Sequence, residues 1–105
     1  MTTTKPLFIP LRSEYYDAFA DGSKTMELRE YGPRWNERTC KIGRAVILSK
    51  GYGKKNRMVG RVVYFSKIHG ADFGSESGKS IKSCYGTLNL WIACISVGEL
   101  RVVEA

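Results

Sequence analysis

A chain of 105 residues, 43% apolar and 26% charged, has the makings of one hydrophobic core. It is too short for a barrel of alternating strands and helices or a two-domain enzyme with a hinged cleft. The composition disfavours disordered and collagen-like chains, and no apolar run approaches the roughly 20 residues of a membrane-spanning helix. The formal charge of +7 is concentrated, because residues 49–68 hold six Lys/Arg and no acid.

In chain order, residues 7–11 read as a first strand, placed at an edge or strand end by Pro10. Ser13 follows as a helix N-cap, with Glu14 and Asp17 in the first turn, where the helix dipole favours acids. Tyr15, Tyr16 and Phe19 recur at near-helical spacing, and Gly22 is placed to end the segment in the left-handed conformation. Together they predict a helix over 13–21. From Lys24 to Arg29 the residues alternate, with Met26 and Leu28 on one face and Thr25, Glu27 and Arg29 on the other. Strict alternation sets Lys24 opposite Glu27, unless the chain is irregular there. Residues 33–41 read as a loop or short helical turn. Residues 45–48, apolar on both faces, suit a strand inside a covered sheet. Turn composition at 51–56 joins it to the longest strand candidate, 58–67, making a basic hairpin, and Gly60 marks a bulge or bend. Residues 69–80, with three glycines and little apolar material, read as a loop. A strong strand covers 91–97, Gly98 and Glu99 break it, and 100–103 form a last short strand. Five to seven short strands with one helix near the start predict a single α+β domain over 1–105, a small, strongly bent β-barrel decorated by helix and loops.

The opening residues lack the charged start and apolar stretch of a signal peptide, so the expected compartment is the cytoplasm. Cys40, Cys84 and Cys94 form no C-x-x-C pair and are expected as reduced thiols. With His69 the only histidine, neither a Cys/His metal site nor a histidine-activated nucleophile is expected. No cofactor and no membrane partner are expected. Gly78, Lys79 and Ser80 look superficially like a phosphate-binding loop, but Gly74 stands four residues before Gly78 rather than five, and no strand precedes it. The concentrated charge is the stronger signal. A patch of one sign attracts polyanions, whereas the plain alternative is a solvated lysine-rich hairpin that resists edge-to-edge aggregation. Tyr52 in the patch, with Tyr31 and Trp35 nearby in sequence, offers flat faces on which unpaired bases stack.

The strand over residues 7–11, the run from Glu14 to Phe19, and the pattern Gly22-x-Lys24-Thr25-x-Glu27-x-Arg29 together resemble the ASCH domain of the PUA-like superfold. The resemblance extends through Gly43 and residues 45–48 to the 58–67 strand, roughly the first two-thirds of the chain. It implies a compact PUA-like β-barrel with a helix-flanked cleft, in a superfold used to bind RNA or modified bases, with Lys24, Thr25, Glu27 and Arg29 lining or bordering the cleft. Some small members deacylate N4-acylated cytidines with a Lys, a Thr and a Glu, and others are single-strand RNA nucleases. The threonine nucleophile of the deacylases falls at Glu27 here, so a carboxylate stands where that hydroxyl would be.

The first functional expectation is a nucleic-acid-binding module for RNA or a single-stranded or modified segment. Lys50, Lys54, Lys55, Arg57 and Arg61 would hold phosphates, Tyr52 would stack, and Thr25, Glu27 and Arg29 would engage a base or ribose edge. The second is a small metal-independent hydrolase of a nucleoside-like molecule or single-stranded RNA, with Lys24 as base and Glu27 as acid or water-orienting group. A third is a protein adaptor, with the basic hairpin docking an acidic partner.

Overall fold

The computed structural model describes residues 5–103. Its elements are β1 (Leu7–Leu11), α1 (Ser13–Asp21), β2 (Met26–Glu30), β3 (Ala45–Lys50), β4 (Arg57–His69), α2 (Ser75–Tyr85) and β5 (Trp91–Val103), with a 3-10 turn at Gly70–Asp72. All five strands form one sheet in the order β1-β3-β4-β5-β2. β1 runs parallel to β3, and every other pairing is antiparallel.

The sheet curls into a half-barrel, with β1 and β2 as its free edges. The curl comes from the long strands β4 and β5, whose pairing slips between Val59 and Arg61 and again between Val62 and Tyr64. Such slips increase local twist and bend. Gly60 sits at the first slip as expected, and a Cβ there would lie 2.6 Å from the Gly98 carbonyl oxygen. Only a residue without a side chain lets the backbones come this close. The expected break at Gly98 and Glu99 is instead a bend within one strand, absorbed by Glu99 at φ 56°.

Both faces of the first half of β5 are covered. On one face, Tyr16 and Phe19 of α1 join Ile9, Val46, Leu48, Ala93, Ile95 and Val97. On the other, Ile81 of α2 packs with Ile92 and Cys94, flanked by Met26, Leu28 and Tyr85. Alternate residues of β5 thus enter opposite clusters, which is why residues 91–97 read as a nearly continuous apolar run.

The helix over 13–21 and the left-handed Gly22 are as expected, but Arg12 occupies the N-cap position, no side chain caps the helix, and Ser13 is its first residue. The second helix is a correction, since residues 75–80 were expected in a loop. Its glycine and serines are poor helix formers, but Gly78, Ile81 and Tyr85 lie three and four residues apart, and Gly78 and Ile81 are buried. Packing of that face overrides propensity. Among the described residues no helix is long and apolar enough to cross a membrane.

Candidate ligand cleft between the free sheet edges

Because the half-barrel does not close through backbone pairing, a gap remains between β1 and β2, bordered by both helices. There lies a cleft of about 390 Å³. Pro10, Leu11 and Arg12 line one side, and Glu27, Leu28 and Arg29 the other. Tyr15 and Lys24 close it from the α1 side, and Ser77, Ser80, Ile81, Cys84 and Tyr85 from the α2 side.

Arg29 joins the two edges. Its Nε donates to Glu27 Oε2 at 2.8 Å, and its terminal NH2 group donates to the Pro10 carbonyl at 2.8 Å. The guanidinium also lies 5.1 Å from the centre of the Trp35 ring. Pro10 fits this position because an edge strand does not need its missing N–H, while its carbonyl is free to turn outward. Glu27 is only 6% exposed, and its other oxygen lies 3.5 Å from Lys24 Nζ. A carboxylate so removed from water requires charged partners, and it has one on each oxygen.

Lys24 precedes β2, whose first residue is Met26, so strand alternation does not apply to it. The Lys24 N–H instead donates to the Ala18 carbonyl of α1, and its ammonium lies 5.2 Å from the Tyr15 ring centre and 5.5 Å from that of Phe19. The irregular entry to β2 thus lets Lys24 and Glu27 meet. Thr25 departs from the expected cleft wall. It is exposed, does not line the cleft, and contributes its carbonyl as acceptor for Val97 N–H. Sequence reasoning missed the α2 wall and Tyr15. Burial raises the Tyr85 phenol above its ordinary value. The spacing of Ile81 and Tyr85 was the available signal, hidden by the serines and glycines around it.

The basic hairpin leaves the sheet beside this cleft. β2 runs antiparallel to β1 and β3, and Arg29 of β2 meets Pro10 near the end of β1 across the gap. Gly51 N–H donates to the carbonyl of Leu11, itself a cleft residue. The five cations expected to hold phosphates are not equivalent. Lys50 pairs with Asp17 at 3.1 Å and lies over the Tyr16 ring. Arg57 donates to the Gly53 carbonyl and stacks on Phe8, bracing the turn. Arg61 binds the Gly43 carbonyl and approaches Glu99, away from the hairpin tip. Lys54 and Lys55 are exposed and form no ion pair among the described residues, and Tyr52 beside them is 81% exposed.

Trp35 corrects another expectation. It is 8% exposed, with guanidinium groups of Arg29 and Arg34 each 5.1 Å from its ring centre, so it offers no open face to a base. Cys40 and Cys94 are buried and Cys84 is exposed at the cleft. Among the described residues no three His, Cys, Asp or Glu side chains come together as a metal site. No protein-family model and no curated protein matches the chain.

Proposed function

We propose that the protein is an ASCH-like, PUA-like module that binds single-stranded or modified RNA, taking one unpaired nucleotide into the cleft while the hairpin holds neighbouring phosphates. The observation that carries this reading is the buried Glu27 carboxylate, held between Lys24 and Arg29 in a cleft whose Leu11 wall is hydrogen-bonded to Gly51 of the hairpin that bears Lys54 and Lys55. A carboxylate accepts from an exocyclic amine of a base, and Tyr15 and Tyr85 supply aromatic walls. Arg12, Lys24 and Arg29 leave the lining net positive despite Glu27, which suits an anionic ligand.

Titration of labelled single-stranded RNA at several salt concentrations tests the reading. Affinity is expected to fall by about 0.7 log units per log unit of salt for each neutralised phosphate. Lys54→Glu with Lys55→Glu should reduce that slope, whereas Glu27→Gln should weaken binding with the slope nearly unchanged. Absence of binding to any oligonucleotide at low salt would overturn it. Reversal of Lys54 and Lys55 that abolishes capture of an acidic protein, with nucleic acid ignored, would favour the adaptor reading.

The hydrolase reading uses the same cleft. Lys24, part-desolvated between Tyr15 and Phe19 and next to Glu27, is the observation in its favour. Both Glu27 oxygens already face cations, which makes the carboxylate better suited to holding an amine than to moving a proton. Turnover of N4-acylcytidines or single-stranded RNA that is lost in Lys24→Ala and Glu27→Gln would establish hydrolysis.

A further inference from the structure

At the end of the sheet opposite the hairpin, β4 and β5 finish in the pair His69–Trp91, and Tyr31 follows the last residue of β2. Strand alternation sets Lys67 and His69 on the same face as Phe65, and Trp91 on the same face as Ala93 and Ile95. This is the face that carries the α1 cluster, so the four side chains continue it outward past the core. Trp91 is 50% exposed. Lys67 Nζ lies 4.2 Å from the Tyr31 ring centre and 5.0 Å from that of Trp91. The Tyr31 hydroxyl donates to the Glu37 carboxylate at 2.8 Å, which fixes the ring. His69 meets Trp91 edge-on, with ring centres 5.1 Å apart. Its Nδ1 accepts from Ala71 N–H, so Nε2 carries the ring proton and is available as a donor.

His69 also lines an open hollow of about 520 Å³ with Lys82, Thr87 and Asn89. Beside the hollow the backbone is tightly built, since a Cβ on Gly70 would lie 2.6 Å from the carbonyl oxygen of Leu88, a lining residue. A half-exposed indole, a cation against it that can be displaced and a polar hollow alongside therefore meet at one place. Arg29, on the β2 wall of the cleft, stands two residues before Tyr31. The platform thus begins where the cleft ends.

We propose that Tyr31, Lys67, His69 and Trp91 form a second nucleotide subsite, which stacks an unpaired base of the same single strand on the indole while Lys67 moves to its phosphate. This rests on the nucleic-acid reading of the cleft. The chemistry supports a nucleotide because stacking accepts any base, two lysines supply positive charge, and the His69, Thr87 and Asn89 side chains offer hydrogen bonds to sugar or phosphate oxygens.

The test uses homopolymeric RNA and DNA strands of about six to eight nucleotides. They are bound to the wild-type chain and to Trp91→Ala, Trp91→Phe and Lys67→Ala, with anisotropy and tryptophan emission read together. Wild-type emission should be quenched on binding, and Trp91→Phe, which retains only the buried Trp35, should lose the quench with affinity nearly kept. Trp91→Ala should weaken both strands by about 5- to 100-fold, the effect of losing one base–aromatic stack. Lys67→Ala should lower the salt slope by about one phosphate's worth. Strands that bind Trp91→Ala as tightly as wild type, with no quench, would overturn the second subsite and leave the cleft reading intact. Strands that bind the wild-type chain nowhere at low salt would overturn both. Trp91→Phe guards against a folding effect, since it keeps an aromatic ring at the strand's start.

Discussion

Removing Arg29 should both destabilise the protein and open the cleft. In Arg29→Ala, Glu27 loses its 2.8 Å partner, the Pro10 carbonyl loses its donor, and Trp35 loses one of two stacked guanidinium groups. A hydrogen bond to a charged group contributes about 1.5–3 kcal/mol, a neutral one about 1, and a partly exposed cation–π contact about 0.5–1. Two features reduce the sum. Arg29 retains about a quarter of its side-chain exposure, and Lys24 stays 3.5 Å from Glu27. The net expectation is a loss of about 2–3 kcal/mol, which at ~1–3 kcal/mol per molar of urea lowers the unfolding midpoint by roughly 1–2 M. Part of the loss is the strain of a buried carboxylate short of partners. Adding Glu27→Gln to Arg29→Ala should therefore restore about 1 kcal/mol, because a neutral amide tolerates burial better. A single-mutant midpoint within about 0.3 M of wild type would refute the role of Arg29 as the joint between the edges. A double mutant no more stable than the single would refute the charge argument.

Three further outcomes follow from the geometry. Gly60→Ala should cost about 1–3 kcal/mol in urea unfolding, because its Cβ meets the Gly98 carbonyl, whereas Gly53→Ala meets open space and should change little. Tyr31's phenol is held above its ordinary value chiefly by its hydrogen bond to Glu37, and Glu37's carboxyl is correspondingly lowered, chiefly by the same bond. Their contact should thus hold from above the ordinary carboxylate range to alkaline pH. It should be lost as pH falls through the folded-state value of Glu37 or rises through that of Tyr31. In Glu37→Gln the phenol should titrate earlier, as followed by ring-carbon NMR. Of the three cysteines, Cys84 should react with a thiol reagent in the folded protein, while Cys40 and Cys94 should wait for unfolding. Burial also raises the Cys94 thiol, which further slows its reaction. A bound oligonucleotide should slow Cys84, since its side chain borders the cleft.

Much of the fold was legible where a single local rule dominates. Pro10 announced an edge strand, Gly22 a helix end, Gly60 a bend, and the apolar runs at 45–48 and 91–97 two strands of the sheet. What was not legible depends on contacts distant in sequence. α2 exists because Ile81 and Tyr85 find the outer face of β2 and β5, and no count of its serines reveals that partner. Trp35 was available in sequence as a stacking face, but its loop folds inward and Arg29, from another element, takes the ring. The meeting of Lys24 with Glu27 depends on a strand that starts two residues later than alternation implied.

The open sheet explains why the candidate site lies where it does. A fully paired barrel would satisfy the edges of β1 and β2 with backbone hydrogen bonds and leave no room between them. Here a side chain makes the join, and a side-chain bridge takes up more width than a backbone pair while leaving a carboxylate and an ammonium beside it. The two helices lie on opposite faces of the sheet and reach the gap from both sides, giving it walls. The parallel pairing of β1 with β3 brings Gly51 of the hairpin to Leu11 of the cleft, and the β2–β5 pairing sets Tyr31 beside Trp91 beyond the other end of β2. Under the proposed function, a ligand engaging all three features is extended, carries negative charge at intervals and presents flat groups between the charges. An unpaired nucleic-acid strand has that pattern, whereas a free nucleoside would use only the middle of it. The proposed function predicts an affinity that grows with strand length until both ends of the gap are spanned and then levels off; an affinity independent of length would refute it.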